Sequence, residues 1–385
     1  MGNRINIKKS IIDWAVERSG KGRDFFLREF PKLDSWGEEI KPTLKQIQDF
    51  SRKANIPFGY LFLEEPFAEK LPMTDYRTAG NEPVGKPSPE LLETIYLMQR
   101  RQDWLRSYRI ENSGEPLDFV ASFSKSDKID EIEIAKNIRE TLKLNCGWPR
   151  ECKDWNEALK LLNDKIEDVG IVLIFNGIVG NNTSRKLLVK EFRGFVLSDK
   201  YAPLIFVNNS DAKAAQMFTV AHELAHLWLS ADGGIFNLGK IQSGVKEIEV
   251  KCNKIAAEFL VPKSEFLKQW DEYRENFDDI AEHFNDIAKH FKVSPIVCAI
   301  RALNLKLIPK KCFDDFYKKY AEELERKNKK NKGGNFYATQ CYKIGKNLSV
   351  AIKNAVADGS LLYRDAYNLT GLYGKTFDKY FEEGV

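Results

Sequence analysis

One stretch limits what this chain can become more than any other. Residues Ala214-Ala-Gln-Met-Phe-Thr-Val-Ala-His-Glu-Leu-Ala-His-Leu-Trp228 are apolar almost throughout, yet carry His222, Glu223 and His226. Positions i and i+4 lie on one face of a helix, so both imidazoles point the same way. Glu223 sits roughly 100° around the helix from His222. A helix with two converging imidazoles and an adjacent carboxylate fits H-E-x-x-H metal chemistry. Neutral ring nitrogens suit zinc, and Glu223 is placed as a general base toward a water at the metal. The chain has only four histidines. Chance would produce this pattern in well under about one in a hundred chains of this length. The bland alternative is a core helix with two satisfied histidines.

Zinc needs a third protein ligand and one open position. In Glu247-Ile-Glu-Val-Lys-Cys-Asn-Lys-Ile-Ala-Ala-Glu-Phe-Leu-Val-Pro262, Glu249, Cys252, Asn253 and Ala256 share one helical face. Small residues there allow close approach to the histidine helix. Glu249 is the expected ligand, and Asn253, one turn on, is expected to accept the spare N–H of a ligand histidine. Glu247, Glu258 and Cys252 are rivals. His283 and His290 are read as surface or packing residues.

The rest of the chain is mostly helical. Apolar residues with helical spacing occur at Ile11, Ile12, Ala15 and Val16, at Leu44, Ile47 and Phe50 after Pro42, over residues 90–110, and at Ile132, Ala135, Ile138 and Leu142. Residues 264–310 and 337–383 also read as helical. Three short apolar runs read as strands: Gly170-Ile-Val-Leu-Ile-Phe, Gly194-Phe-Val-Leu-Ser and Leu204-Ile-Phe-Val-Asn. Asp199, Lys200 and Pro203 make the last two a hairpin-like pair. Residues 194–207 are placed in sequence to serve as a substrate-binding edge strand, or equally to be ordinary sheet. Asn208-Asn-Ser-Asp caps a helix beginning near Ala212. Residues 80–89, rich in Gly and Pro, and the basic run 326–334 read as linkers.

The composition excludes little. The net charge of +4 neither demands nor excludes nucleic acid. The six cysteines include no Cys-x-x-Cys and read as reduced thiols. No run of about 18 apolar residues is present, so no membrane helix is expected. Met1-Gly-Asn-Arg-Ile-Asn-Ile-Lys-Lys lacks the apolar segment of a secretory signal, so the expected location is cytoplasmic.

Phe218-Thr-Val-Ala-His-Glu-Leu-Ala-His-Leu-Trp-Leu with Glu249-x-x-Cys-Asn-x-x-Ala-Ala-Glu-Phe-Leu-Val-Pro resembles the ImmA/IrrE family of zinc peptidases. Arg193-Gly-Phe, Ala202-Pro-Leu-Ile-Phe-Val-Asn and Phe291-Lys-Val-Ser-Pro also fit. The resemblance implies a thermolysin-like site of His222, His226 and Glu249, with Glu223 as base. Asn253 stands where such sites carry Asp, which removes a charge beside the histidine. Trp14-Ala-x-x-Arg-Ser-Gly, Pro57-Phe-Gly-Tyr-Leu-Phe-Leu, Asp75-Tyr-Arg-Thr and Gly333-Gly-Asn-Phe-Tyr-x-Thr-Gln resemble the long members. Those carry an N-terminal helix-turn-helix of the Xre type and act on repressors or beside toxin genes.

The expected fold is therefore α+β and mostly helical, with a small mixed sheet packed on a zincin-like active-site helix. The expected regions are a helix-turn-helix-like unit (1–78), a helical region (90–150), a metallopeptidase domain (155–310) and a C-terminal helical region (335–385). The expected activity is a regulatory zinc endopeptidase that cuts one protein partner, such as a repressor or toxin–antitoxin partner. DNA contact through residues 1–78 and no membrane contact are part of that expectation. Twelve basic and ten acidic residues in 1–65 give that unit little net charge. The alternatives are a DNA-binding or antitoxin-like regulator with a non-catalytic metal site, and a module that senses a divalent ion.

Overall fold

A computed structural model describes residues 4–67, 74–75, 78–79, 82–83, 87–124, 130–229, 234–236, 247–274, 279–327 and 336–383. The chain divides into two compact units, Met1–Pro72 with Gly85–Ile95, and Met73–Val84 with Tyr96–Val385.

The first unit holds α1 (Lys9–Arg18), α2 (Arg23–Glu29) and α3 (Leu44–Ala54), with 3-10 turns at Leu33–Ser35 and Phe58–Phe62. Helix α3 starts at a capping box. Thr43 Oγ1 accepts from the Gln46 N–H at 3.3 Å, and Gln46 Oε1 accepts from the Thr43 N–H at 2.8 Å. Its end is set by Asn55 in the left-handed region (φ 53°). Phe50 is the hub of the core, with ring centroids 5.3 Å from Phe26 and 5.8 Å from both Phe30 and Trp36. Leu44, expected on the same stripe, is 40% exposed. It occupies the first helical position, where there is no preceding turn of helix for it to lie on.

Among the described residues, long helices, a five-stranded sheet and two two-stranded sheets build the second unit. In chain order its elements are β1 (Thr74–Asp75), β2 (Thr78–Ala79), β3 (Glu82–Pro83), α4 (Pro89–Glu111, which begins in the first unit), α5 (Glu131–Thr141), α6 (Trp155–Asp168), β4 (Val172–Asn176), β5 (Ile178–Val179), β6 (Asn182–Lys186), β7 (Gly194–Leu197), β8 (Leu204–Asn208), α7 (Lys213–Leu229), β9 (Gly234–Phe236), α8 (Glu247–Leu260), α9 (Lys263–Arg274), α10 (Ile280–Phe291), α11 (Pro295–Asn304), α12 (Lys310–Lys327), α13 (Phe336–Ile344), α14 (Lys346–Ala357), α15 (Tyr363–Thr370) and α16 (Lys375–Glu383). The fold is α+β and dominated by helix. Of the two linker stretches, residues 328–334 lie outside the described residues, and 80–89 includes β3, paired antiparallel with β2.

The sheet order is β1-β9-β7-β8-β4. Strands β7 and β8 form the antiparallel pair the two apolar runs imply, with Gly194 opposite Val207 and Leu197 opposite Leu204. Their turn is tied down locally and from outside. Asp199 Oδ1 accepts from the Tyr201 and Ala202 N–H groups at 2.8 Å each. From α4, the Gln102 amide donates to the Leu197 and Ala202 carbonyls at 2.8 and 2.9 Å. The Arg109 guanidinium donates to the Gly170 and Tyr201 carbonyls at 2.9 and 2.6 Å. Strand β4 runs parallel to β8, so the sheet is mixed. Strand β7 lies between β8 and β9. Residues 194–207 are therefore interior and supply no free edge for substrate, contrary to the expectation from sequence order.

Helix α7 lies across β7 and β8, and α8 and α5 pack on it as well. Its apolar residues, Met217, Val220, Ala221, Leu224, Ala225, Leu227 and Trp228, join one core with Val196, Ile205 and Val207 of the sheet, Ile134 and Ile138 of α5, and Ile255, Ala256 and Phe259 of α8. This cover explains why the α7 sequence shows no polar face. Ile132, expected on the buried stripe of α5, is 52% exposed and sits in the first turn. No helix among the described residues is long and apolar enough to cross a membrane.

Candidate metal centre

The start of α7 is built by side chains of the preceding loop. Asn208 Oδ1 accepts from the Ser210 N–H at 3.1 Å, and Asp211 Oδ1 accepts from the Ala212 N–H at 2.8 Å. Gln216, in the first turn, donates back to the Asp211 and Asn209 carbonyls at 2.6 and 3.1 Å. The helix is thus anchored two turns before the histidines.

His222 and His226 project from α7 toward Glu249 of α8. The two Nε2 atoms are 3.0 Å apart. Glu249 Oε2 lies 3.2 Å from His222 Nε2, and Glu249 Oε1 lies 3.1 Å from His226 Nε2. Relative exposure is 0% for His222, 2% for His226 and 1% for Glu249. Among the described residues these three form a group of donors able to hold a metal ion. The approach of α8 is close because the facing positions are small. Ala221 and Ala225 of α7, and Cys252 and Ala256 of α8, are all buried. One turn beyond Glu249, Asn253 Oδ1 lies 3.1 Å from His222 Nδ1. That contact leaves His222 Nε2 to face the centre unprotonated.

The donor set fits a metal. Two ring nitrogens and a carboxylate converge with too few protons to satisfy one another. Neither Glu249 oxygen completes a well-aligned hydrogen bond, despite the short distances. Two donors about 2.0–2.1 Å from a tetrahedral zinc lie about 3.3 Å apart, close to the separations observed. Burial, aided by His226, pushes the His222 imidazolium down to about 4 against the pull of Glu249, so His222 is neutral near pH 7. Burial alone would raise the Glu249 carboxyl, but its contacts with His222 and His226 outweigh it and hold it at about 2. A neutral imidazole and an ionised carboxylate are the forms a metal binds.

Glu223 is completely buried, and neither carboxylate oxygen has a hydrogen-bond partner among the described residues. Burial first, then the Glu249 charge, raises its carboxyl well above the usual range. A fully buried polar group without a partner is costly and marks a functional position. Gly194 of β7 lies directly against it. A Cβ there would stand 2.6 Å from Thr219 Cγ2, 2.9 Å from the Phe206 carbonyl and 3.2 Å from Glu223 Oε1. Only a residue without a side chain lets the strand pass this close.

The rival residues lie elsewhere. The Glu247 side chain is exposed and pairs with Lys251 at 2.5 Å. Glu258 forms a buried ion pair with Arg301, and Arg139 of α5 donates to the Glu258 and Phe259 carbonyls at 2.8 and 3.3 Å. Cys252 is fully buried but outside the donor group. His283 packs on Trp270 with centroids 4.3 Å apart, and His290 is half-buried on the same helix, α10. Sequence reasoning passed over Gly194 as a site residue. Its signal was a lone glycine opening an apolar strand.

An α+β scaffold with two histidines on one buried helix and a glutamate from the next defines a protein with a candidate metal centre. Residues 166–303 match the Peptidase_M78 family model, described as an IrrE N-terminal-like domain. This segment, from the end of α6 to α11, is similar to that peptidase family, in keeping with the ImmA/IrrE motifs. Residues 344–383, spanning α14 to α16, match a domain of unknown function (DUF8813). No curated protein matches the chain.

Proposed function

We propose that the chain is a cytoplasmic zinc-dependent endopeptidase of regulatory type, cutting a specific protein partner such as a repressor. The carrying observation is the convergence of His222, His226 and Glu249 beside a buried Glu223 that has no hydrogen-bond partner among the described residues. In this reading His222, His226 and Glu249 hold the ion, and Asn253 orients His222. Zinc, when bound, supplies a Lewis acid that polarises the scissile carbonyl and makes water more acidic. Glu223 takes the proton of the attacking water on a carboxylate oxygen and gives it to the leaving amine. A purely structural metal site needs ligands but no base, so Glu223 favours catalysis over a non-catalytic site.

Metal analysis of the wild type, His222→Ala and Glu249→Ala, side by side, tests the centre. One zinc per wild-type chain and clear loss in both variants is the expected result. Glu223→Gln is expected to keep the zinc and lose cleavage of the partner. Normal cleavage by that variant would rule out the base assigned here.

Residues 1–78 are assigned as a helix-turn-helix-like module of the Xre type that docks a partner rather than gripping DNA by its phosphates. Many of its cations are already paired: Lys8 with Glu64, Lys9 with Glu38, Arg23 with Asp13 and Asp34, Arg52 with Asp49, and Lys53 with Glu29. Cations held this way offer less to a polyanion.

A further inference from the structure

We propose that Asn137 and Arg139 of α5 are positioning residues of the metal centre, holding the helix of His222 and His226 and the helix of Glu249 at one separation and one rotation. The inference rests on the reading of His222, His226 and Glu249 as metal ligands, and adds the residues that set their spacing. The need arises from the interface between the two helices. Donors from separate helices meet only if neither helix slides or turns against the other. The facing positions Ala221, Ala225, Cys252 and Ala256 are small and buried. Small faces let helices approach closely, but their ridges are shallow and interlock little. A brace from outside the pair supplies what that interface lacks.

Helix α5 packs on both α7 and α8. Its apolar residues Ile134, Ala135 and Ile138 are fully buried in the core it shares with them. Two residues apart on a helix diverge by about 200°, so Asn137 and Arg139 reach to different sides of that core. Toward α7, the Trp228 Nε1–H donates to Asn137 Oδ1 at 2.7 Å, two residues past His226. Trp228 is completely buried, and its ring stacks on Phe119 with centroids 4.6 Å apart. Toward α8, Arg139 donates to the Glu258 and Phe259 carbonyls. The sequence leaves both carbonyls without their usual helical donor. Four residues on from Glu258 stands Pro262, which has no N–H. Four on from Phe259 stands Lys263, whose N–H donates to Glu258 Oε1 at 3.2 Å instead. A buried carbonyl left unmet is costly, so Arg139 fixes where this end of α8 lies. A helix is stiff along its axis, so any displacement of that end carries Glu249 with it, nine residues and about 14 Å away. Both positioning residues precede residue 166, where the match to the peptidase family begins. The brace therefore comes from a part of the chain outside the matched segment.

The test uses the full chain. Zinc and cobalt affinities are measured by competition with a chelator, and the cobalt absorption spectrum reports the geometry around the ion. A thermal melt of the metal-free protein reports stability. Asn137→Leu removes the acceptor, and Asn137→Asp keeps it. Arg139→Met keeps the stem and removes the donors. Ile352→Val, a buried change in α14, is the control for stability alone. Asn137→Leu and Arg139→Met should each bind zinc about tenfold more weakly and shift the cobalt spectrum while still folded. Asn137→Asp should keep the wild-type affinity and spectrum. Ile352→Val should lower the melt and leave both metal readouts unchanged. Wild-type metal binding by folded Asn137→Leu and Arg139→Met overturns the proposal and leaves the ligand assignment standing. Equal loss of affinity in Ile352→Val also overturns it, because stability alone would then account for the effect. Wild-type protein that binds neither metal sinks the ligand reading, and this proposal with it. Should Asn137→Leu or Arg139→Met fail to fold, Trp228→Phe, which deletes the same hydrogen bond from α7, decides the matter by the same two metal readouts.

Discussion

At the scale of single residues, the site depends on what is absent as much as on what is present. Gly194 contributes no side chain, and this lets β7 lie against Thr219 and Glu223. Gly194→Ala should cost about 1–3 kcal/mol, because its Cβ meets a backbone carbonyl and a methyl inside a packed core. A thermal melt unchanged from wild type would contradict that contact. The same variant should weaken catalysis beyond its effect on stability, since the displaced strand presses on Glu223. Sequence made the helix carrying His222 and His226 legible because i, i+4 spacing is a local rule that needs no fold. It made Glu249 and Asn253 legible for the same reason, as positions one turn apart on a second helix. Gly194 was not legible as a site residue, because its neighbour Thr219 is 25 positions away and only packing brings them together.

At the scale of elements, buried polar groups set how helices and strands dock. Glu167, at the end of α6, accepts from the Leu173 N–H at 2.9 Å and from the Asn347 N–H at 2.8 Å. It thereby joins α6, β4 and the first turn of α14. Burial pushes its carboxyl from the ordinary 4.5 up to about 7, against the pull of those N–H donors. Below about pH 4.5 the group is protonated both folded and unfolded, and its contribution is fully present. As pH rises toward 7, the unfolded chain gives up the proton readily while the folded chain must ionise a buried group. Stability should fall over that window by about 3 kcal/mol. Glu167→Gln should flatten the fall, measured as unfolding midpoint against pH between 4.5 and 7. An unchanged slope would remove Glu167 as its source. The strands themselves were readable as apolar runs between turn residues. The parallel pairing of β4 with β8 and the interior place of β7 were not, because strand order depends on contacts far apart in sequence. Leu44 and Ile132 show the limit of periodicity: a correct helical phase does not by itself bury a residue in the first turn, since Ile11 and Ile12 are buried there in α1 while Leu44 and Ile132 are exposed.

At the scale of the whole molecule, two compact units share one chain, and their roles can be tested apart. A fragment beginning at Met73 retains every residue of the second unit and should bind zinc as the full chain does. Loss of zinc from a folded fragment would place part of the site's support in the first unit. Residues 1–78 alone should give no salt-dependent shift of DNA at low ionic strength, because much of the unit's positive charge is held in ion pairs. A specific shift would restore the DNA-binding reading. The sequence by itself determined the helical content, the two imidazoles on one face, the acidic partner helix and the antiparallel pair β7–β8, because each follows from spacing within a few turns. Tertiary structure alone decided that Glu223 is buried with no hydrogen-bond partner among the described residues, that Gly194 must be bare, and that β1 lies at the edge of the sheet. Those outcomes depend on which distant backbones pack together, and local spacing carries no information about that.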